Sequence, residues 1–480
     1  MPIEQFQLDG LGHLSYLVVD DASGAAAVVD PRRDVAIYLA AAGRHGAHIT
    51  HILETHLHND YVSGARELAA RTGAAIVIGA GAQAAYPHLP ARDGERFPVG
   101  ELTFEVLATP GHTPEHVSYA LRAAHAPHPH AVFTGGSMLV GGAGRTDLLP
   151  SESTLALTHQ QYHSLRRLLD TLPDTTLVYP THGAGSFCTA GGGGLDLAST
   201  IAQERVASPA AQSSDEEDFT RRQMASFTAY PSYYAHMRAI NQRGPRILGE
   251  LPVPAALAPR AVHTRQHKGT ALVDSRRRDA FAREHVPGSL NIELDASFGT
   301  YAGWILPFNA PLMLVVEDEA GQAEAVVQLI RIGYERIAGT LRGGVAAWQA
   351  DGYPVAAFER IDIDQLYARW QGADPPAIVD VRREDEWRGG HIPGARHISV
   401  ADLPQRADEV PRDRPVAVIC ASGYRAAIGA SILAATGHTV TAVQGGVPDW
   451  LLMRHPIVSG GDDAPTSPGG QAGDATHAHP

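Results

Sequence analysis

An internal repeat in the second half of the chain is the feature that most limits how this sequence can fold. ALVDSRRRDAFAREHVPGSLNI (271–292) aligns with AIVDVRREDEWRGGHIPGARHI (377–398) at a constant offset of 106 residues, with ten identical positions. Further along, RGGVAAW (342–348) is similar to QGGVPDW (444–450). Similarity at a fixed spacing indicates two copies of one structural unit of about 100 residues.

Each copy alternates short apolar runs with helix-like stretches. The runs ALVD and LMLVV of the first copy correspond to AIVD and VAVIC of the second. Such alternation is typical of a parallel sheet whose strands are connected by helices. We therefore predict an α/β multidomain protein in which residues 255–355 and 360–457 form two parallel α/β domains.

Residues 1–250 follow a different pattern. HLSYLVVD and AAAVVD indicate paired strands, and AHITHILET, LTFEVLATP, HAVFTGG and TLVYPTHG indicate further strands. The polar run QSSDEED and the helix-like YYAHMRAI then predict a helical connector at the end of this domain. Residues 458–480 are rich in glycine, proline and polar residues, which predicts a disordered tail.

Composition excludes several classes of function. A net charge of −14 argues against a nucleic-acid or membrane partner, and no run of apolar residues is long enough to span a bilayer. The two cysteines, Cys188 and Cys420, are too few and too far apart for a disulfide framework, which favours a cytoplasmic setting. The oligomeric state, a homo-oligomer included, is left open.

The segment THLHNDY (55–61) presents two histidines and an aspartate at alternate positions. In an extended segment, side chains two residues apart point to the same side. Two further histidines follow later predicted strands, and strand ends bring such turns to one edge of a sheet. Imidazole ligands suit zinc or iron better than magnesium or calcium. The sequence therefore predicts a metal centre among His56, His58, Asp60, His112 and His182.

Together, the motifs HxHxD, TPGHT, FTGxS…GRTD and PTHG resemble the metallo-β-lactamase fold, in its persulfide dioxygenase branch, over roughly residues 1–245. The resemblance implies an αββα sandwich with one non-haem Fe(II) on two histidines and an aspartate, leaving open positions for persulfide sulfur and O2. By motif match, the two histidines are His56 and His112. His182 matches a ligand of the second metal in dinuclear relatives.

Two positions depart from the motifs of that family. Tyr61 stands where dinuclear relatives have another histidine, so we expect one metal ion per chain. The third ligand of the family is the aspartate of TGD, and Gly136 occupies that position here. Asp60 or His58 could substitute, and a site of three imidazoles would also suit zinc. Iron and zinc both remain open, and we expect substoichiometric metal.

The second repeat copy carries a cysteine in a distinctive loop. A predicted strand ends at Cys420, the loop CASGYR follows, and an alanine-rich helix begins. Backbone N–H groups, the helix N-terminus and Arg425 would together stabilise a persulfide anion on the sulfur. Cys420 and Arg425 are the predicted catalytic residues. The predicted persulfide cradle comprises Ala421, Ser422, Gly423 and Tyr424.

This loop and the upstream DVRREDEWRGGHIPGA resemble a rhodanese active site over roughly residues 360–457. The resemblance implies that Cys420 accepts a sulfane sulfur and passes it to a thiol, sulfite or cyanide. In the first copy Val316 aligns with Cys420 and no thiol follows, so we predict an inactive rhodanese-like domain. Cys188 has no comparable loop, and we expect it to serve packing.

The combined resemblance predicts a persulfide dioxygenase and sulfurtransferase of sulfide detoxification. A low-molecular-weight thiol persulfide would be oxidised by O2 to sulfite, and Cys420 would transfer sulfane sulfur, yielding thiosulfate. One alternative is a rhodanese whose metallo-β-lactamase domain is a zinc hydrolase or a silent, metal-deficient domain. A non-enzyme alternative is a sulfur carrier or persulfide sensor. The sequence does not identify the thiol carrier.

Overall fold

The computed structural model describes residues 1–149, 152–190 and 196–460, so most of the predicted tail lies outside the described residues. The chain divides into two compact units. Unit 1 comprises Met1–Val253, Asp295–Ala310 and Ala323–Arg336, and unit 2 comprises Pro254–Leu294, Pro311–Gln322 and the residues from Ile337 onward. Within the described ranges, no helix combines the length and the apolar character needed to cross a bilayer.

The N-terminal part of unit 1 is built on two six-stranded sheets and one small sheet. Its strands are β1 (Ile3–Leu8), β2 (His13–Val19), β3 (Ala25–Val29), β4 (His48–Glu54), β5 (Ala75–Gly79), β6 (Leu89–Ala91), β7 (Arg96–Val99), β8 (Leu102–Ala108), β9 (Val117–Arg122), β10 (Ala131–Gly135), β11 (Met138–Leu139), β12 (Gly142–Gly144), β13 (Leu177–Pro180), β14 (Thr189–Ala190) and β15 (Ser199–Thr200). The first sheet runs from β1 to β6 in chain order, and the second has the order β15-β13-β10-β9-β8-β7.

Seven helices accompany these strands in the described part of residues 1–250. They are α1 (Ala36–Arg44), α2 (Ala65–Thr72), α3 (Thr154–Thr171), α4 (Ile201–Ala207), α5 (Pro209–Gln212), α6 (Glu216–Ala225) and α7 (Tyr234–Arg243). The longest, α3, begins after Ser153, whose side chain accepts a hydrogen bond from the N–H of Ala156. Such a cap satisfies one of the N–H groups that a helix start leaves without a partner.

The packing of apolar side chains shows four layers. Inward-facing residues of both sheets, such as Leu53, Phe104 and Phe133, form one core between the sheets. Helices α1 and α2 cover the other face of the first sheet, and α3, α4 and α6 cover the other face of the second. This is the predicted αββα sandwich. The segments HLSYLVVD and AAAVVD are β2 and β3, and they pair antiparallel as expected.

Unit 2 contains two five-stranded sheets, and all their strand pairs are parallel. The strands of the first are β16 (Ala256–Leu257), β17 (Ala271–Asp274), β18 (Leu290–Asn291), β19 (Leu312–Val315) and β20 (Ile337–Leu341). Those of the second are β21 (Glu359–Ile361), β22 (Ala377–Asp380), β23 (Arg396–His397), β24 (Val416–Ile419) and β25 (Val440–Val443). The orders β16-β20-β19-β17-β18 and β21-β25-β24-β22-β23 are equivalent, which confirms two rhodanese-type parallel sheets.

Ten helices belong to the described part of the two repeat copies. They are α8 (Pro259–Gln266), α9 (Arg278–Arg283), α10 (Phe298–Ile305), α11 (Glu319–Arg331), α12 (Gly344–Ala350), α13 (Ile363–Trp370), α14 (Glu384–Arg388), α15 (Leu403–Arg406), α16 (Tyr424–Ala435) and α17 (Val447–Leu452). The first copy contributes to both units, because α10 and most of α11 belong to unit 1. There Arg331 makes two hydrogen bonds, of 2.7 and 2.8 Å, to the carboxylate of Asp34. The domain boundaries given above remain predictions.

Candidate functional site

The predicted metal ligands of unit 1 lie in turns that follow strands of both sheets. His56, His58 and Asp60 follow β4 of the first sheet, His112 lies between β8 and β9, and His182 follows β13. All five side chains are buried, with at most 1% of any of them exposed. A buried group of histidines and carboxylates is unusual, because polar side chains lose free energy on burial unless they find partners.

Three of these histidines meet. The ring centroids of His56 and His112 are 4.9 Å apart, and the ring of His182 lies 5.5 Å from the first and 5.4 Å from the second. One ring nitrogen from each lies within 4.8 Å of the other two, which is close enough for one metal ion to contact all three.

Neighbouring groups fix the orientation of two of these rings. The Nδ1–H of His112 donates to the carbonyl of Arg145 at 2.7 Å. Nδ1 of His56 lies 2.8 Å from Oγ1 of Thr55, whose hydroxyl donates to Asp30, so here too the ring nitrogen is the donor. Nε2 of both histidines therefore carries the lone pair, and both are buried with no hydrogen-bond partner in the described structure. These residues fit a bound metal ion, because metal-ligating histidines donate their other N–H in this way.

The GRTD motif explains why the carbonyl of Arg145 is well placed. The Arg145 guanidinium makes two hydrogen bonds of 2.7 Å to Asp147 and donates to the carbonyl of Phe187 at 3.1 Å. It also lies 4.6 Å from the ring centroid of Tyr230. The motif thus orients His112 through its backbone, while its side chains hold the turn in place.

His58 turns towards two carboxylates. Its Nε2 lies 3.1 Å from Oε2 of Glu54 and 3.3 Å from Oδ1 of Asp30. Burial alone would lower the pKa of His58, but these two carboxylates raise it to about 10. The Tyr61 ring stacks on the imidazole at a centroid distance of 4.4 Å. His58 therefore completes a buried ion cluster with Asp30 and Glu54.

Asp60 is next to His182. Its Oδ2 lies 3.3 Å from Nδ1 of His182, and burial of the Asp60 carboxyl group is outweighed by nearby imidazoles, chiefly His182, which lower its pKa to about 2. His58, Asp60 and His182 form a second group whose ligand atoms lie within 4.8 Å of one another. The five predicted ligands are thus close together, but they do not form a single set around one point.

Gly136, where the family resemblance implies a carboxylate ligand, directly faces His112. A Cβ atom on Gly136 would lie 2.2 Å from Cδ2 and 2.7 Å from Nε2 of His112, far closer than atoms pack. The N–H of Gly136 donates to Nε2 of His116 at 3.0 Å. The position therefore belongs to the site, but the His112 ring occupies the space that a side chain would need.

Sequence analysis missed several residues of this site. Asp30, Glu54, His13 and His116 are buried beside the predicted ligands, and Asp30 accepts hydrogen bonds from the N–H of Thr55 at 2.7 Å and from the hydroxyls of Thr55 and Thr181. Asp30 directly follows β3, and His116 lies in the same turn as the TPGHT motif. A polar residue directly after a buried strand was the available signal.

The connector was also assigned too small a role. From α7, Arg238 makes two hydrogen bonds of 2.9 Å to Glu115, and Asn241 donates to the carbonyls of His58 and Tyr61 at 2.8 and 2.9 Å. The hydroxyl of Tyr233 donates to the carbonyl of Asp60 at 3.0 Å. The connector therefore holds the backbone of the metal-binding turn, which its polar sequence did not reveal.

The second candidate site surrounds Cys420 in unit 2. The cysteine directly follows β24, is fully buried, and its Sγ accepts the N–H of Gly423 at 3.1 Å. Gly423 has a φ of 87°, a conformation that glycine adopts without strain. Gly446 packs against the start of the loop, where an added Cβ would lie 2.2 Å from the carbonyl carbon of Ala421. The loop is thus closely packed and holds an N–H towards the sulfur.

Two charged or polar side chains of this loop have partners elsewhere in unit 2. The Arg425 guanidinium makes hydrogen bonds of 2.6 and 2.8 Å to the carboxylate of Glu386. The Tyr424 hydroxyl donates to the carbonyl of Glu293 in the first repeat copy at 2.7 Å. The predicted catalytic arginine is therefore held by a carboxylate of the upstream signature, and the first copy contacts the loop.

Cys188 and Val316, the two positions compared with Cys420 in the sequence, differ from it in the structure. Cys188 is fully buried, and burial raises its pKa well above the ordinary value. Val316 follows β19 as Cys420 follows β24, so the first copy has an aliphatic side chain at the corresponding position. Of the described cysteines, Cys420 alone lies in a loop that precedes a helix start.

Comparison with known proteins gives two family matches. Residues 8–182 match the metallo-beta-lactamase superfamily, and residues 258–351 and 362–453 each match the rhodanese-like domain. A metallo-beta-lactamase structure from Staphylococcus aureus subsp. aureus COL is similar with a TM-score of 0.64 and 30% identity, covering 71% of this chain and 98% of that one.

Two kinds of curated relative resemble the N-terminal domain. Persulfide dioxygenase ETHE1 of Homo sapiens is 32% identical over 208 residues, which is 42% of this chain and 73% of that protein. Hydroxyacylglutathione hydrolase of Pseudomonas entomophila (strain L48) is 37% identical over 181 residues, or 37% of this chain and 65% of the hydrolase. The chain covers 62% and 60% of the length of two further hydroxyacylglutathione hydrolases. It therefore spans less than two thirds of the length of each of these three hydrolases.

Proposed function

Because the chain belongs to the metallo-β-lactamase superfamily and carries two rhodanese-like domains, we propose that it is a sulfurtransferase that also oxidises a low-molecular-weight thiol persulfide. The observation that carries this proposal is the Cys420 loop, in which the Gly423 N–H lies 3.1 Å from the sulfur. An N–H group in that position would stabilise a persulfide anion on the cysteine. The loop directly precedes α16, whose N-terminus adds a favourable field for an anion.

Sulfur transfer at Cys420 needs no cofactor. The thiolate attacks the outer sulfur of a thiol persulfide or of thiosulfate, forms a new S–S bond, and releases the thiol or sulfite. An acceptor thiol, sulfite or cyanide then attacks the outer sulfur of the Cys420 persulfide and restores the thiolate. The residues Ala421 to Tyr424 supply the cradle, and Arg425, held by Glu386, limits how far the loop can move.

The N-terminal site supports the oxidation half of the proposal. His56 and His112 would hold the metal ion through their Nε2 atoms, and a ring nitrogen of His182 lies within 4.8 Å of a ligand atom of each. A bound non-haem iron supplies the ability to react with O2 and a coordination position for sulfur. The surrounding residues keep the imidazoles oriented: Arg145 and Thr55 accept their N–H groups, and Asn241 holds the turn.

The two activities are chemically compatible. Oxidation of a thiol persulfide by O2 and water releases the thiol and sulfite, with three oxygen atoms on the former outer sulfur. Sulfite is then a sulfur acceptor for the Cys420 persulfide, and the product is thiosulfate. Similarity to a human persulfide dioxygenase over 73% of its length supports the oxidation step, and the two rhodanese-like domain matches support the transfer step.

A second candidate function is hydrolysis of a thioester by a zinc-loaded N-terminal domain. Similarity to hydroxyacylglutathione hydrolases, at 37% identity, favours it. Tyr61 and Gly136 count against it, because these two positions lack ligands that dinuclear relatives use. A protein that carries sulfur on Cys420 without turnover is the non-enzyme alternative.

The test measures sulfur transfer and oxygen uptake on the full chain. Thiosulfate with cyanide should give thiocyanate in wild type and in Cys188→Ser, and none in Cys420→Ser. Thiol persulfide should drive O2 uptake by the iron-loaded chain and by its Cys420→Ser variant. Thiocyanate formation by Cys420→Ser would contradict the sulfurtransferase assignment. Cleavage of a glutathione thioester without persulfide-dependent O2 uptake would support the hydrolase instead.

A further inference from the structure

The absence of a side chain at Gly136 leaves the metal centre one ligand short of the set that the family resemblance implies. The His112 ring itself fills the space next to Gly136, since an added Cβ would lie 2.2 Å from Cδ2. Gly144 makes the same close approach from the other side, where a Cβ would lie 2.9 Å from Nδ1 of His112. The two glycines therefore accommodate His112 in its present position, and the missing ligand has to come from elsewhere.

His182 is the residue best placed to supply it. Its ring lies between 5.4 and 5.5 Å from the rings of His56 and His112, and one of its nitrogens is within 4.8 Å of a ligand atom of each. Its Nε2 has no hydrogen-bond partner within the described ranges, and its Nδ1 has only the Asp60 carboxylate nearby, at 3.3 Å. Leaving a buried polar atom without a partner is unfavourable, and one metal ion would supply a partner to three imidazoles at once.

His58 is positioned for a different role. Its Nε2 lies 3.1 Å from Glu54 and 3.3 Å from Asp30, and Tyr61 stacks on its face. Asn241 also binds the carbonyl of His58, which limits how far the residue can move. A ring held in this way directs its Nε2 towards these two carboxylates, and His58 does not belong to the group formed by His56, His112 and His182.

We propose that the N-terminal site is a three-histidine centre in which His56, His112 and His182 hold one zinc or ferrous ion. Asp60 orients His182, with its Oδ2 3.3 Å from Nδ1, and His58 is a structural counter-ion of Asp30 and Glu54. This assignment rests on the proposed metal dependence and specifies its ligands. His182 thereby compensates for the carboxylate that Gly136 does not provide.

A centre of this kind favours anionic sulfur ligands. Three imidazoles are neutral ligands that cancel none of the charge of the ion directly, whereas a carboxylate ligand would cancel part of it. A deprotonated thiol persulfide or thiolate matches that charge, and a neutral thioether or disulfide does not. Such a centre is therefore compatible with the anionic form of the persulfide in the proposed function.

The first test compares two histidines of the same motif set. The full chain is stripped with a chelator and titrated with Co(II), whose visible absorption reports on its ligands, and with Zn(II). His182→Gln should weaken binding of both ions by at least about 10–100-fold, the range that even outer ligand partners produce. His58→Gln should leave the affinity within about threefold. Loss of binding in His58→Gln together with retention in His182→Gln would overturn the assignment.

A second measurement covers the risk that the His58 variant does not fold. Removing one member of a buried ion cluster is strongly destabilising, and circular dichroism shows whether the variant is still folded. X-ray absorption on the zinc-loaded wild-type chain then counts the ligands directly. Three imidazoles are expected. Two imidazoles with a carboxylate, as His58, Asp60 and His182 would provide, would overturn the proposal. A wild-type chain that binds neither ion would overturn the metal dependence itself.

Discussion

Gly136 and Arg425 show how much single residues can alter a site whose overall pattern is familiar. The first, Gly136, stands where the family resemblance implies a ligand, and it makes room for His112, as the 2.2 Å approach of a hypothetical Cβ shows. The second contributes its charge to an ion pair with Glu386 at 2.6 and 2.8 Å. Neither effect is visible from the residue alone, because both depend on neighbours that are distant in sequence.

The Glu386–Arg425 pair should contribute to stability in a pH-dependent way. Burial would raise the pKa of Glu386, but the ion pair with Arg425 outweighs it and lowers the pKa below its ordinary 4.5. A lowered pKa means that the stabilisation is present above pH 4.5 and is lost as the pH falls through the lowered value. Glu386→Gln should therefore reduce the free energy of unfolding by about 1 kcal/mol at pH 7, less in acid, and should lower sulfur transfer.

Urea denaturation of the full chain at several pH values measures this difference. Glu384→Gln is the matched control, because Glu384 pairs with Arg388 on the surface, where both side chains are more than 60% exposed. It should change stability very little. If Glu386→Gln lowered the free energy of unfolding equally at every pH, or if both variants lowered it equally, the pair would not act as described.

At the scale of elements, the strands were predictable and the supporting contacts were not. Strands are identified by their own residues: β8 alternates with a period of two, β19 and β24 are apolar throughout, and β17 and β22 are apolar up to a final aspartate. The repeat in the sequence likewise predicts two equivalent sheets. The partners of a given turn depend on which distant helix packs there, as with α7 and the predicted metal-binding turn. The residues of the turn do not identify that helix.

The first repeat copy, which we predict to be inactive, contacts the Cys420 loop of the second copy. Arg278, at the start of α9, has its Cζ 5.7 Å from the ring centroid of Tyr424 and its Nε 3.2 Å from Glu293. The carbonyl of Glu293 accepts the Tyr424 hydroxyl, and the N–H of Asn291 donates to Ser431 on α16 at 3.0 Å. The edge of the first copy therefore contacts both the cradle and the helix that follows it.

We expect Arg278 to be a positioning residue for the cradle. Arg278→Ala should lower kcat for thiosulfate:cyanide transfer about two- to fivefold, the factor that corresponds to a partly exposed cation–π contact, with little change in KM for thiosulfate. Arg278→Lys should recover part of the loss because it keeps the charge. The control is Arg277→Ala, whose side chain is 73% exposed and pairs with Asp279. Equal kcat values in Arg278→Ala and wild type would show that the first copy does not support the loop.

At the scale of the whole molecule, the proposed function combines two sulfur chemistries that share an intermediate. The N-terminal site would produce sulfite, and the Cys420 site would consume it. The first repeat copy has no cysteine. It contributes segments to both compact units, and thus to the unit of each candidate site. Fusion of the two domains is then explained by the chemistry, since the product of one site is the acceptor at the other.

The central claim is that oxidation and sulfur transfer act on the same persulfide pool. The direct measurement supplies the iron-loaded full chain with a thiol persulfide labelled with ³⁴S at its outer sulfur, under O2, and quantifies sulfite and thiosulfate by mass spectrometry against an enzyme-free control. Wild type should form mainly doubly labelled thiosulfate, and Cys420→Ser should accumulate labelled sulfite at a similar rate of O2 uptake. The same ratio of thiosulfate to sulfite in both proteins, or no labelled sulfite from the iron-loaded Cys420→Ser chain, would contradict the account.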